Sequence, residues 1–265
     1  MYAYKSIEKI TDANILKQIN ENQSLFEKFP SKLMSIDADA KTVKGDKKKV
    51  KTGIIYLTPS TTLNFYNTCP MAELAGCQKA CLYSAGRGRF NNVQLSRIRK
   101  TLYWIDHRSA FLEQLKTEII KESKKAIADG YTFAVRFNGT SDIRIENYFW
   151  DEMVELNKTY GVKFYDYTKI ANRKILDSNV YDLTFSYSGM NSLFSHHVET
   201  AIKNGMRIAV VFRDKILPKN FLNMDVINGD ETDVRFLDPQ GVVVGLYAKG
   251  DAKKDYSGFV VDAIA

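Results

Sequence analysis

All three cysteines of this 265-residue chain lie within thirteen residues, Cys69-Pro-Met-Ala-Glu-Leu-Ala-Gly-Cys77-Gln-Lys-Ala-Cys81. A chain's only cysteines gathered this closely, as C-x7-C-x3-C, argue for a shared role. A disulfide would leave one thiol over, and so few cysteines do not make a disulfide scaffold. A structural zinc site needs four ligands and usually contains paired C-x2-C knuckles. Only His107, His196 and His197 could add a nitrogen, and none is near in sequence. Three soft thiolates without a fourth also fit a [4Fe–4S] cluster with one iron left open. On the residues alone, cluster, zinc and plain buried thiols all stay open.

Other side chains could act beside them. Gly86-Arg87-Gly88-Arg89 follows the last cysteine directly. Guanidinium forks on such a turn suit a substrate phosphate or carboxylate, though Arg87 or Arg89 could equally pair with Glu73 or solvent. Asp166 interrupts an otherwise apolar and aromatic run. A carboxylate buried there is costly unless paired, so it either binds a ligand, does acid–base work or pairs with a Lys or Arg. Asp142 and Lys169, each just beyond an apolar run, complete the acid–base candidates. Asn228-Gly-Asp-Glu-Thr-Asp233 alternates oxygen ligands but lacks the rest of a calcium hand, and reads as a turn. His196 and His197 are adjacent on an expected helix and cannot face one metal together. There is no Gly-x-Ser-x-Gly elbow, phosphate loop or His-Glu-x-x-His.

What positions these residues is legible in the hydrophobic pattern. Three times a helical stretch ends at a glycine and an apolar strand follows: Gly130, Gly161 and Gly205. Strand starts are expected near residues 53, 131, 162, 181 and 206, with helices over 12–26, 93–128, 146–159, 169–177 and 191–203. Alternating β and α elements argue for a parallel sheet with right-handed crossovers. Residues 234–246 read as two strands of a hairpin around Pro239-Gln240-Gly241. The expected organisation is a helical, Lys-rich N-terminal extension (1–52), a β/α domain (53–250) and a C-terminal tail (251–265). Both an open doubly wound sheet and a partial barrel fit the count.

Composition narrows the class. Aromatics at 12% exclude a mainly disordered chain, and no apolar run is long enough to span a membrane. The N-terminus lacks the apolar core of a signal peptide, so a cytoplasmic protein is expected. Net charge is +7, with a concentrated source in Lys41, Lys44, Lys47, Lys48, Lys49 and Lys51. That segment reads as a solvated loop or, alternatively, as a contact for nucleic-acid phosphates.

The three-cysteine loop after a first strand, followed by further β/α units, resembles the radical S-adenosylmethionine (SAM) superfamily. More narrowly, TCPMAELAGCQKACLYSAGRGRF, VRFNGTSDI and NGDETDVRFLDPQGVVVGL resemble a phage family known as gene product 88, over roughly residues 50–250. The superfamily resemblance implies a partial (β/α)6-like barrel and a [4Fe–4S] cluster on Cys69, Cys77 and Cys81. It further implies a small molecule, SAM, at the open iron; the alternatives are an iron–sulfur hydrolase or hydratase that uses the open iron as a Lewis acid, and a non-enzymatic, metal-stabilised phage binding protein. The segment that binds the methionine amino group would be Asn138 to Asp142, with Gly139, Thr140 and Ser141 touching the cofactor. Two departures stand out. The first cysteine gap is seven residues where the superfamily has three, and the segment is not Gly-Gly-Glu. A phage origin would put the protein in the host cytoplasm.

Overall fold

The computed structural model of the chain describes residues 2–36, 44–78, 81 and 86–263. The elements run α1 (Ala13–Glu21), α2 (Gln23–Phe26), β1 (Met34–Ile36), β2 (Val50–Ile55), α3 (Asn91–Asp106), α4 (Arg108–Ala128), β3 (Thr132–Arg136), α5 (Glu146–Tyr160), β4 (Lys163–Thr168), β5 (Tyr181–Ser186), α6 (Ser192–Lys203), β6 (Arg207–Phe212), β7 (Asn220–Phe221), β8 (Met224–Asn228), β9 (Val243–Tyr247) and β10 (Val260–Val261). Gly130, Gly161 and Gly205 close α4, α5 and α6 in the left-handed region, at φ 76, 66 and 69°. A side chain there would be strained, which is why glycine marks these boundaries.

Strands β2-β3-β4-β5-β6-β9 are neighbours in that order and all parallel. β8 continues the parallel run beside β9, while β1 and β7 pair antiparallel at the two edges. The fold is therefore a mixed α/β sheet of mostly parallel strands. Among the described residues no pairing joins the β1 and β7 edges into a barrel.

The register sorts the side chains by face. Val135, Phe164 and Tyr181 stand in line across β3, β4 and β5, and with Phe133, Phe137 and Leu183 they bury the helix-covered face. The opposite face is more polar, with Arg136, Tyr165, Tyr167, Asp182, Thr184 and Arg207. Segment 229–240 covers it. Asp233 of that segment pairs with Arg136 and accepts from the Tyr167 hydroxyl, while Phe236 packs on Tyr165.

Four sequence expectations need correction, the last of them the start of the first strand. The hairpin over 234–246 does not form. Arg235–Leu237 is a 3-10 turn, and β9 pairs parallel with β6 and β8. The charged groups Asp233 and Arg235 are drawn into ion pairs on the polar face, which holds this stretch out of a strand ladder. The antiparallel hairpin is instead β7–β8, turned at Leu222-Asn223 with φ 54 and 59°. Two successive left-handed residues suit the right-handed twist of a tight hairpin, but leucine is a rare choice there and gave no signal. The single helix over 93–128 is two helices, broken at His107, whose Nε2 meets the Ala3 carbonyl at 2.9 Å as its ring packs on Phe29. No helix forms over 169–177. The Lys169 and Ile170 amides are captured by the side chains of Asp142 and Thr168, and Arg173 is drawn inward to Glu146.

At the N-terminus, the Asp12 carboxylate caps α1 by accepting from the Asn14 and Ile15 amides. The first strand begins at Val50 rather than 53. Lys41 lies outside the described residues. Of the other lysines in that run, Lys44 donates to the Asp230 carbonyl and Lys51 stands over the Tyr131 ring at 4.9 Å. Lys47, Lys48 and Lys49 are exposed. Among the described residues no helix is long and apolar enough to cross a membrane.

Candidate functional site

The chain leaves β2 and builds the cysteine loop on the C-terminal ends of the parallel strands, where α/β folds carry their ligands. Among the described residues, three backbone turns of the loop are closed at a cysteine. The Cys69 carbonyl accepts from the Ala72 amide at 3.0 Å, the Ala72 carbonyl from the Cys77 amide at 3.2 Å, and the Gln78 carbonyl from the Cys81 amide at 3.4 Å. The Asp142 amide donates to the Thr68 carbonyl at 2.8 Å, and the Cys69 thiol approaches the Thr140 carbonyl at 3.7 Å, seating the loop on the end of β3. Ser188 Oγ and Asn191 Nδ2 hold the Ala75 and Leu74 carbonyls, both at 2.8 Å, seating it beyond β5. Gly76 completes the seat at φ 64°, where any Cβ would stand 2.1 Å from the Met190 sulfur.

None of the three cysteines is in a disulfide, and each is half-buried. Burial pushes Cys69 up to about 12 and also raises Cys77, so both are neutral thiols until something displaces their protons. Among the described residues no three Cys, His, Asp or Glu side chains converge closely enough to grip one metal ion. His107 sits in the N-terminal aromatic cluster, and His196 is exposed on α6. His197 packs on Phe194.

Lys169 faces the loop from the end of β4. It is 9% exposed, and its ammonium donates to Ser186 Oγ at 3.0 Å and to the Ser186 and Tyr187 carbonyls at 3.2 and 3.5 Å. The rings of Phe259 and Phe194 flank it at 4.6 and 5.6 Å. Burial lowers its pKa, and Cys77, Asp142, Cys69 and Cys81 oppose that shift, which puts all three thiols within electrostatic reach of one ammonium. Asp142 accepts from Thr168 Oγ1, the Lys169 amide and Arg173 Nη1.

Asp166 is fully enclosed. Its carboxylate accepts from the Phe137 and Asn138 amides at 3.1 and 3.0 Å, from Asn138 Nδ2 and from the Tyr181 hydroxyl. It shapes the turn that carries Asn138 to Asp142 and shows no face to a ligand. That turn is also spent internally. Asn138 Oδ1 takes Ser141 Oγ and the Ile143 amide, and Thr140 Oγ1 donates to the Leu57 carbonyl. A Cβ on Gly139 would meet the Tyr56 ring at 2.5 Å, so close packing already accounts for that glycine. Arg89 is exposed at the end of a 3-10 turn, Gly86–Arg89, and the Arg87 side chain lies outside the described residues.

Sequence reasoning missed two parts of the site. Arg173, expected on a helix, instead links Asp142, Glu146 and the Tyr181 hydroxyl. The C-terminal tail is the other. β10 pairs with the end of β6, Gly258 accepts from the Gly189 amide, and Phe259 covers Lys169. Arg213 fastens this segment by donating to Asp262 and to the Lys253 and Asp255 carbonyls, beneath the Tyr256 ring.

The profile of the Gene product 88 family matches residues 31–263. The chain belongs to that family. No curated protein and no solved structure matches it. The Gene product 88 match takes in every strand from β1 to β10, the whole cysteine loop and the C-terminal segment that covers it, and it leaves out α1 and α2. The family unit is thus the sheet together with both parts of the site. The Arg213-fastened segment is part of it rather than an appendage.

Proposed function

We propose that this Gene product 88 chain is an iron–sulfur enzyme in which Cys69, Cys77 and Cys81 hold a [4Fe–4S] cluster and leave one iron open to a small molecule. The observation that carries this reading is one loop that bears all three thiols and is seated on the C-terminal strand ends, where Cys77 packs into the apolar cluster over which the buried Lys169 stands. A single ion needs its ligands to converge on one point, whereas a cubane takes one thiolate per iron and its ligands stand around it. Cysteines on separate turns of one loop suit the second arrangement. A buried ammonium without a carboxylate partner suits an anionic occupant.

SAM is the small molecule we propose for the open iron. The run β2-β3-β4-β5-β6-β9, six parallel strands with the cysteine loop after the first, supports it. When bound, such a cluster supplies an electron and an exchangeable iron for cleaving SAM. The chain's own residues do the rest. Asp142 and Thr168 fix the turn that presents Lys169, Asp166 and Tyr181 hold the Asn138 turn under the loop, and Phe259 excludes water from the Lys169 side.

Anaerobic metal and sulfide analysis tests the reading, with about four irons and four sulfides per chain expected. Substituting Cys69, Cys77 or Cys81 with Ala should each abolish the visible absorbance. Stoichiometric zinc without sulfide, after expression with ample iron, would overturn it. With reduced, loaded protein, SAM should be cleaved. Intact SAM and a cluster spectrum indifferent to it would assign the open iron to another ligand.

A further inference from the structure

Four arginines drawn into the fold each have a carboxylate partner, and the buried Lys169 does not. Arg136, Arg173, Arg207 and Arg235 each face a carboxylate: Asp233, Glu146, Asp182 and Asp238. Among the described residues no carboxylate pairs with the Lys169 ammonium, whose three acceptors are two carbonyls and a hydroxyl. The adjacent Asp142 bonds the lysine's backbone amide, and its charge is engaged by Arg173. Burying an ammonium without a counter-charge costs several kcal/mol. Folds keep such groups where an anion comes to meet them. On the side of the cysteine loop, Cys77 packs into the same apolar cluster as Phe194, over whose ring the ammonium stands, and Cys69 and Cys81 also lie within its electrostatic reach.

We infer that Lys169 is the counter-charge of the cluster, a positioning residue that raises its reduction potential and makes electron uptake easier. The inference rests on the cluster reading above. Three thiolates outweigh the positive charge of a cubane core, so the occupied site is anionic, and each added electron makes it more so. A fixed positive charge in a poorly solvated pocket favours the reduced form, because cluster potentials follow local charge, hydrogen bonding and exposure. Ser186 and Tyr187 hold the ammonium at the strand end, and Phe259 keeps water from screening it. This role differs from that of a proton donor, which would need Lys169 to lose its charge. Arginine, which keeps its proton in proteins, separates the two.

The experiment compares anaerobically loaded wild type, Lys169→Met and Lys169→Arg, first for iron and sulfide content and then by equilibrium redox titration. Lys169→Met should lower the equilibrium constant for reduction about tenfold, a shift of about 59 mV to more negative potential for one electron. Lys169→Arg should stay near wild type. A loaded Met variant that titrates at the wild-type potential overturns the inference alone. Wild type without iron and sulfide overturns the cluster reading and the inference with it. If the Met variant takes up no cluster, Lys169→Gln decides. Arg loading where Gln and Met do not supports the counter-charge, and Gln loading at the wild-type potential overturns it.

Discussion

Asp142 bonds Lys169 through its backbone amide and not through its ammonium: Oδ2 accepts from the Lys169 amide at 2.8 Å, while the ammonium donates to Ser186. The same carboxylate accepts from Thr168 and Arg173, so one aspartate fixes the turn between β4 and the missing helix. Asp142→Ala should therefore destabilise the protein by about 3–5 kcal/mol, the usual cost of stripping one partner from a buried ion pair. Asp142→Asn, which keeps an acceptor for the amide, should cost less. Denaturant unfolding of the metal-free protein measures both, and equal losses would mean that the amide bond contributes nothing.

Arg213 should act as the fastening of the C-terminal segment. Its guanidinium meets Asp262, two carbonyls and the Tyr256 ring. Arg213→Ala removes these contacts at a cost of about 1–3 kcal/mol. Because the segment lies over the Lys169 side of the cysteine loop, the variant's thiols should react faster with a thiol reagent. Unchanged labelling rates in the metal-free variant would show that the segment does not shield the loop.

The contrast between these two residues shows what the sequence could disclose. The helix-ending glycines and the buried strands were legible because each follows from a local rule, left-handed backbone or apolar run. The cysteine loop was legible because its ligand types cluster in the chain. Arg173 was not, because its pattern within 169–177 is compatible with a helix, and only Asp142 and Glu146, about 30 residues earlier, pull it inward. The tail was not, because β10 is two residues long and is held by a side chain 40 to 49 residues away. Side-chain anchors across such distances leave no periodicity. Of the candidates, Lys169 and Asp142 come to the cysteine loop, Asp166 lies beneath it as a support, and Arg89 is exposed on a turn beyond it.

Asp166 should make stability fall as pH rises from about 4 to about 6. Burial raises its pKa to about 6, although Arg136 and the Tyr181 hydroxyl oppose the shift. The unfolded chain loses this proton near the ordinary carboxylate value of about 4, whereas the folded chain holds it to about 6. Between those values the folded state binds more protons, so the slope of unfolding free energy against pH is negative. Integrated over the window, the change is roughly 3 kcal/mol. Asp166→Asn should be less stable overall and should lack this slope. Parallel pH profiles for the two proteins would place the titration elsewhere.

Cys69 should behave as a thiol that needs help to ionise. Its pKa is pushed up to about 12 by burial, with only partial relief from hydrogen bonds to its neighbours. The thiolate is both the nucleophile and the metal ligand, so two observables follow. In a metal-free variant carrying Cys77→Ser and Cys81→Ser, alkylation of Cys69 should rise about tenfold per pH unit from pH 7 to 10, without a plateau. A plateau within that range would mean that the loop already holds a thiolate. In the wild type, cluster assembly must expel the Cys69 and Cys77 protons, so it should become more favourable as pH rises and should release about two protons from this pair. Calorimetry in buffers of different ionisation enthalpy counts them. The same burial that keeps the empty site neutral keeps the occupied one dry, and Lys169, the buried cation that faces the loop without a carboxylate, then has its anion.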